Sequence, residues 1–575
     1  MTVPKFRSAR WFETDNEVGF LHCEAIRSEG FSTAAFRGKP IIGICNSWSE
    51  LNNCNVHLRG VADAVKRGVL AAGGFPLEFM TISLGEELMK PTAMLYRNLM
   101  SMDVEEMIRC HPLDGVVLLC GCDKTTPAQL MGAASMDVPA IMVSGGPMLR
   151  GVWRNQEVGS GTDVWKFWDE RRGGRISDED WKGLEGCVSR SSGHCMTMGT
   201  ASTMTSLAEG LGMMLPGCAN IPAPDSRRLA IAEQSGRRIV EVVTEGLRPS
   251  TILTTAAFEN AIRLCMAIGG STNAVIHLVA IAGRLGIPLP LSKFDELSRS
   301  TPCIVNVQPS GKHLMEDLFH AGGIPAVMKE ILPLLHSDIV TITGRSVREN
   351  LRSSTCYNHD VIRPLNTPLY PEGALAVLRG NLAPNGAIVK TSAASQKLLQ
   401  HSGPALVFEN YEDLLARIDT PDLDVSESSV LVLKNAGPIG APGMPEWGQI
   451  PIPKKLLQKG VKDMVRISDS RMSGTSFGTV VLHISPESGV GGPLAVVQNG
   501  DTVSLHVLNR RLELKISDEE LKKRLALWRP QSRKYRRGYY AMFLDHILQA
   551  HEGCDFDFLR AQPGDEPFEP IIGRS

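Results

Sequence analysis

Cys120-Gly121-Cys122-Asp123-Lys124-Thr125-Thr126-Pro127 follows directly on an apolar run at residues 115–119. The run is rich in Val and Leu and reads as a buried parallel strand. Thr126-Pro127 reads as a helix N-cap and first helical residue. The segment is therefore strand, tight polar turn, helix, and ligands of open α/β sheets bind at such strand ends beside helix N-termini. Two thiols, a carboxylate and an amine in one turn make a candidate metal site. A cysteine after a strand is more ordinarily a core residue, and Asp123 and Lys124 alone would be a helix-end carboxylate and its solvated neighbour. Two further stretches set a cysteine in equally polar company, which weighs against the ordinary reading.

Moving outward, residues 40–45 and 76–83 read as strands and 56–72 as an amphipathic helix between them. The strand 76–83 delivers Gly85-Glu86-Glu87. Residues 140–144 give a further strand, with helical patterns at 91–101 and 127–135. Strands alternating with helices imply right-handed crossovers and a parallel sheet covered on both faces. Residues 153–186 are charged and read as a surface excursion, and helices dominate from there to about 335. Prolines cluster at 364–371, where the character of the chain changes. Beyond lie short strands at 405–408, 430–433, 464–467, 479–484, 501–508 and 511–516, then a capping box, Ser517 with Glu520. The fold expected is α/β: a parallel-sheet α/β/α domain over residues 1–365, then a smaller β-barrel-like domain with flanking helices over 366–575.

The chain of 575 residues is too long for one ordinary core. Its net charge of -2, without a basic block, argues against a nucleic-acid or membrane-surface role. Thirteen scattered cysteines do not make a disulfide scaffold and point to a reducing compartment, with thiols free for metal. No signal peptide or membrane helix is legible, so a cytoplasmic protein is expected.

Cys54, Cys122 and Cys195 each sit in a Gly-, Asn- or hydroxyl-rich turn, tens of residues apart. Ligands of that kind would converge from different loops, unlike the close pairs of zinc fingers or bacterial ferredoxins. Three thiolates are one short of a fully ligated iron–sulfur cluster, which leaves one iron open as a Lewis acid. Glu86, Asp123 and Glu446 are hard oxygen donors of the kind magnesium prefers, although singly each reads as a solvated carboxylate. Glu446 ends a Gly/Pro loop, residues 435–447, with little propensity for helix or strand. Residues 467–478 form a hydroxyl-dense turn of the type that usually caps. Cys45, Cys110 and Cys265 read most simply as core residues.

Taken together, residues 46–55, 121–127, 193–204, 269–278, 378–384, 443–447 and 470–474 resemble the dihydroxy-acid and sugar-acid dehydratases, the family that includes 6-phosphogluconate dehydratase. The resemblance covers nearly the whole chain. It implies that Cys54, Cys122 and Cys195 hold the cluster and that Glu86, Asp123, Glu446 and a carbamylated Lys124 bind Mg2+. It implies Ser473 as the base that takes the C2 proton, Ser271, Thr272 and Asn273 lining the substrate pocket, and Thr475 at the substrate carboxylate. In the branched-chain enzymes the first magnesium carboxylate is an aspartate in a Ser-Asp-Gly turn. Here Leu84-Gly85-Glu86 stands in its place, and with the opening Ser8-Ala9-Arg10-Trp11-Phe12 this resembles the pentonate branch, the arabinonate and xylonate dehydratases. That branch implies a 2Fe-2S cluster, a small-molecule sugar acid as substrate, and a homo-oligomer, dimer or tetramer. The branched-chain dihydroxy-acid enzyme is the runner-up; a non-catalytic iron–sulfur sensor would leave Glu86, Asp123, Glu446 and Ser473 without purpose.

Overall fold

The computed structural model describes residues 6–532, 535–562, 564–565 and 568–573. Four strands, β1 (Ile41–Asn46), β2 (Phe75–Met80), β3 (Gly115–Cys120) and β4 (Ala140–Ser144), form a parallel sheet in the order β2-β1-β3-β4. Both central strands are buried along their whole length, as strands covered on two faces must be. The helix Leu58–Ala71 packs beside Ser226–Glu245, and Arg97–Cys110 beside Thr125–Met136. The last of these begins at Thr125, one residue before the expected cap, and Pro127 lies within its first turn.

The hairpin β5 (Gly151–Trp153) and β6 (Gln156–Val158) leads into helices Thr162–Arg172 and Asp178–Val188. This is the charged stretch expected to be a mere surface excursion. Its outer residues are exposed, yet Thr162 is buried and donates to the Thr475 carbonyl, in the loop between the barrel strands Arg466–Ser468 and Val480–Ser485.

Eight strands, β7 (Leu375–Gly380), β8 (Ala383–Lys390), β9 (Gln400–Phe408), β10 (Val430–Leu433), β11 (Arg466–Ser468), β12 (Val480–Ser485), β13 (Thr502–His506) and β14 (Arg511–Leu514), close a barrel in the order β10-β11-β12-β8-β7-β14-β13-β9. Period-two alternation sorts the side chains. Val407, Val430, Val432 and Ile467 fill the interior, while Leu406, Phe408, Leu431 and Leu433 pack outward under Tyr411–Arg417 and Lys454–Gln458. Strands β7 and β8 escaped the sequence reading because Gly380, Pro384 and Gly386 interrupt their pattern. At the closing helix, Ser517 accepts from the Glu520 N–H, but Glu520 pairs with Arg524 rather than reaching back to complete a box.

After the barrel, the helix Gly538–His546 and the chain beyond it return to the N-terminal half. Arg97 donates to the Gly553 and Cys554 carbonyls at 2.9 and 2.6 Å, and Arg284 meets Asp555 at 2.6 Å with both side chains buried. Among the described residues no helix is long and apolar enough to cross a membrane.

Candidate metal centre and active site

Cys54, Glu86 and Cys122–Lys124 lie in the turns that follow the carboxyl ends of β1, β2 and β3, the end of an open parallel sheet at which ligands bind. The turn after β3 presses against the loop after β1. The Cys122 N–H donates to Asn55 Oδ1 at 3.0 Å, and Asn55 in turn donates to the Ser47 carbonyl at 2.9 Å. Gly121 permits this approach, since a Cβ there would lie 2.4 Å from Asn55 Oδ1 and 2.7 Å from the Cys54 carbonyl oxygen. The loop carrying Cys195 is stitched to the same place by the Gly193 N–H, which donates to the Asn53 carbonyl at 3.2 Å.

Cys54, Cys122 and Glu87 offer two sulfurs and a carboxylate oxygen that lie within 4.8 Å of one another. Cys195 is outside that tight group but within electrostatic reach of both other thiols. The bond between the two thiols, together with burial, pushes Cys54 far above the usual thiol range. Cys122 accepts less of a rise, its bond from Cys54 being outweighed by burial and by Asp123. Glu87 was passed over in the sequence because it reads as one more acidic residue beside Glu86; only the folded turn brings it to the thiols. Cys120 points the other way, into the core, where burial lifts its thiol to about 12. Cys45 and Cys265 are core residues as expected, but Cys110 is exposed at the end of its helix, bonded to His111.

One residue along, Lys124 is fully buried at the centre of the carboxylates. Its Nζ lies 2.5 Å from Asp123, 3.4 Å from Glu86 and 3.8 Å from Glu446. Burial alone would strip its proton, but Asp123 and Glu86 outweigh burial and hold the ammonium above its ordinary range. Burial likewise works against ionised Glu86, and Lys124 and Arg471 overcome it. Glu446, the most distant, is lifted by burial to about 7 despite Lys124.

Glu446 comes from the barrel, and the Gly/Pro loop that carries it is held by what surrounds it. Glu487 accepts from the Ile439 and Gly440 N–H groups at 2.9 and 2.8 Å, and Asp469 accepts from Ala436 N–H at 3.0 Å. Trp447 stacks on Tyr411 with ring centres 4.4 Å apart. Arg471 donates to Glu446 at 2.9 Å, to the Met444 carbonyl at 2.8 Å and to Thr92 at 3.0 Å, and Thr92 donates to Glu86 at 2.7 Å. Arg471 therefore ties a carboxylate of each half to one guanidinium, a role its place in a hydroxyl-dense turn did not announce.

Ser271, Thr272 and Asn273 are fully buried at the start of the helix Asn273–Gly283. Asn273 Nδ2 lies 3.2 Å from Glu446, 2.9 Å from Thr200 Oγ1 and 3.1 Å from the Met472 carbonyl oxygen. It thus touches the backbone next to Ser473. Ser473 is half-buried, with its Oγ 2.8 Å from Thr475 Oγ1.

Residues 39–350 match the N-terminal, and 360–554 the C-terminal, profile described as dihydroxy-acid/6-phosphogluconate dehydratase. The chain belongs to this family. It is 53% identical over 576 residues to L-arabonate dehydratase of Azospirillum brasilense, covering 98% of each chain. It is 51% identical over 573 residues to 6-deoxy-6-sulfo-D-gluconate dehydratase of Pseudomonas putida, covering 99% of each. Dihydroxy-acid dehydratase of Ignicoccus hospitalis is more distant, 42% identical over 531 residues, 90% of this chain and 95% of that one.

The residues present fit both groups expected of such a dehydratase. Three carboxylates converge on one buried position, with Glu86 Oε2 buried and facing the Lys124 ammonium 3.4 Å away, and such a set of hard oxygen donors suits a divalent cation. Cys54 and Cys122 set two buried sulfurs side by side, the soft donors that bind iron as thiolates once their protons are released.

Proposed function

We propose that the chain is a hydro-lyase that dehydrates a sugar acid, a pentonate such as L-arabinonate or D-xylonate, to the 2-keto-3-deoxy acid. The observation that carries this reading is the convergence of Glu86, Asp123 and Glu446 on Lys124, next to the Cys54 and Cys122 thiols. Relatives named for sugar acids at 51 to 53% identity support the substrate class.

In this reading Cys54, Cys122 and Cys195 hold a 2Fe-2S cluster, and Glu86, Asp123, Glu446 and carbamylated Lys124 hold magnesium. Bound there, the two groups supply Lewis acidity, the iron for the departing C3 hydroxyl and the magnesium for the C2 proton. Carbamylation joins the Lys124 amine to carbon dioxide with release of a proton, which replaces an ammonium that would repel a cation with an anionic oxygen donor. Deprotonated Ser473 Oγ takes the proton from C2; the C2–H electron pair forms the C2–C3 double bond as the C3–O bond breaks, and the departing hydroxide leaves as water with a proton equivalent to the one Ser473 took, which restores the base. The enol then tautomerises to the keto acid, with no net redox change. Arg471 and Asn273 hold Glu446 in place, so the charge that faces the substrate is fixed before it binds.

The test is a panel of L-arabinonate, D-xylonate, D-gluconate, 6-deoxy-6-sulfo-D-gluconate and 2,3-dihydroxyisovalerate, scored by keto-acid release with anaerobically purified enzyme. A pentonate should give the highest kcat/KM. Exclusive use of 2,3-dihydroxyisovalerate would overturn the assignment.

A further inference from the structure

A serine hydroxyl is far too weak an acid to serve as a base unless donors wait for its oxygen. The surroundings of Ser473 contain such donors, and one of them is governed from outside the barrel. Thr475 Oγ1 lies 2.8 Å from Ser473 Oγ and 3.1 Å from the indole Nε1 of Trp165. An indole nitrogen only donates, so Trp165 occupies a lone pair of the threonine oxygen and leaves its one proton to find another acceptor. Among the described residues, Ser473 Oγ is the other polar atom within hydrogen-bond distance of that hydroxyl. The Thr475 N–H also points at Ser473 Oγ, at 3.3 Å.

We propose that Trp165 is a positioning residue for the dehydration: its N–H sets the direction of the Thr475 hydroxyl, so that Ser473 Oγ receives two donors from Thr475 and is stabilised as the deprotonated base. The inference rests on the reading of Ser473 given above and extends it to a side chain that touches no reacting atom. Were the bond reversed in the free enzyme, with Ser473 donating to Thr475, the buried Thr475 hydroxyl would keep a proton without an acceptor among the described residues until a substrate carboxylate arrived, a costly arrangement.

The surrounding chain is built for this contact. Thr162 Oγ1 donates to the Thr475 carbonyl at 2.7 Å, so the helix Thr162–Arg172 grips the same residue twice. Gly161, at φ +74°, precedes that helix, and a Cβ there would lie 2.3 Å from Thr475 Oγ1. Only a glycine lets the helix approach closely enough for the indole to reach. Trp165 itself is 38% exposed, so removing its N–H while keeping a ring should leave the fold intact.

The experiment compares Trp165→Phe, Thr475→Val, Thr475→Ser and Ser473→Ala with the parent enzyme, each matched for iron content and visible spectrum. The substrate is the best acid of the panel, unlabelled and deuterated at C2. Trp165→Phe should lower kcat by about tenfold, the size of one lost hydrogen bond, with KM within about twofold. Its deuterium isotope effect on kcat should rise, because proton removal becomes slower relative to other steps. Thr475→Val should lose more, and Thr475→Ser should recover most of that loss because it restores the hydroxyl. If Trp165→Phe keeps the parent kcat and isotope effect while Ser473→Ala is inactive, the relay is wrong and the base assignment stands. If Ser473→Ala turns over normally, both fall.

Discussion

Cys54, Cys122 and Cys195 stand on three turns of the N-terminal half, whereas Glu446 and Ser473 come from loops of the barrel. The thiol-bearing turns are stitched to one another by backbone and Asn55 contacts. The oxygen donors are assembled across the chain, with Glu86 and Asp123 from one half meeting Glu446 from the other through Lys124, Arg471 and Asn273. The three thiols proposed to hold the cluster all lie within one half and should therefore survive damage to the barrel loops, while the proposed oxygen set depends on the halves staying docked.

That contrast can be broken most severely at Cys122. Cys122→Ser should abolish the brown colour and bound iron of anaerobically purified protein, read by absorbance and metal analysis; a variant that stays brown would remove Cys122 from the ligand set. Ser473→Ala should keep iron and magnesium and lose turnover by about a thousandfold or more, as expected when a group needed only in the chemical step is deleted. A smaller effect belongs to Asn273. Asn273→Ala removes a donor from a buried carboxylate and should weaken magnesium binding by about tenfold to a hundredfold, with iron content unchanged. Equal loss of both metals would erase the distinction between the two sets.

The same division governs what the sequence made legible. The N-terminal turns announce themselves because strand, polar turn and helix are contiguous, and the alternation of strands with helices carries the parallel sheet. The barrel was foreseen as a class, yet β7 and β8 were missed, because glycine and proline in them hide the alternation. Glu446 was named as a hard oxygen donor although its loop has no regular pattern of its own; Asp469 and Glu487, which hold that loop, look like ordinary acids in a turn. Arg471 and Glu87 were equally invisible, because their significance lies in partners brought near only by folding. Residues 153–186 misled most. Their charge reads as solvated surface, and it is, but Thr162 and Trp165 turn inward at one end of the helix and reach Thr475.

The most direct test of two separately built donor sets is the metal content of Glu446→Gln, purified without oxygen and measured beside the parent for iron, sulfide, magnesium and visible absorbance. The substitution keeps the shape of the side chain and removes its charge from the cross-chain cluster. Iron, sulfide and colour should match the parent, while magnesium falls below stoichiometric and turnover collapses. Loss of iron in step with magnesium, or full activity with the glutamine in place, would contradict the account.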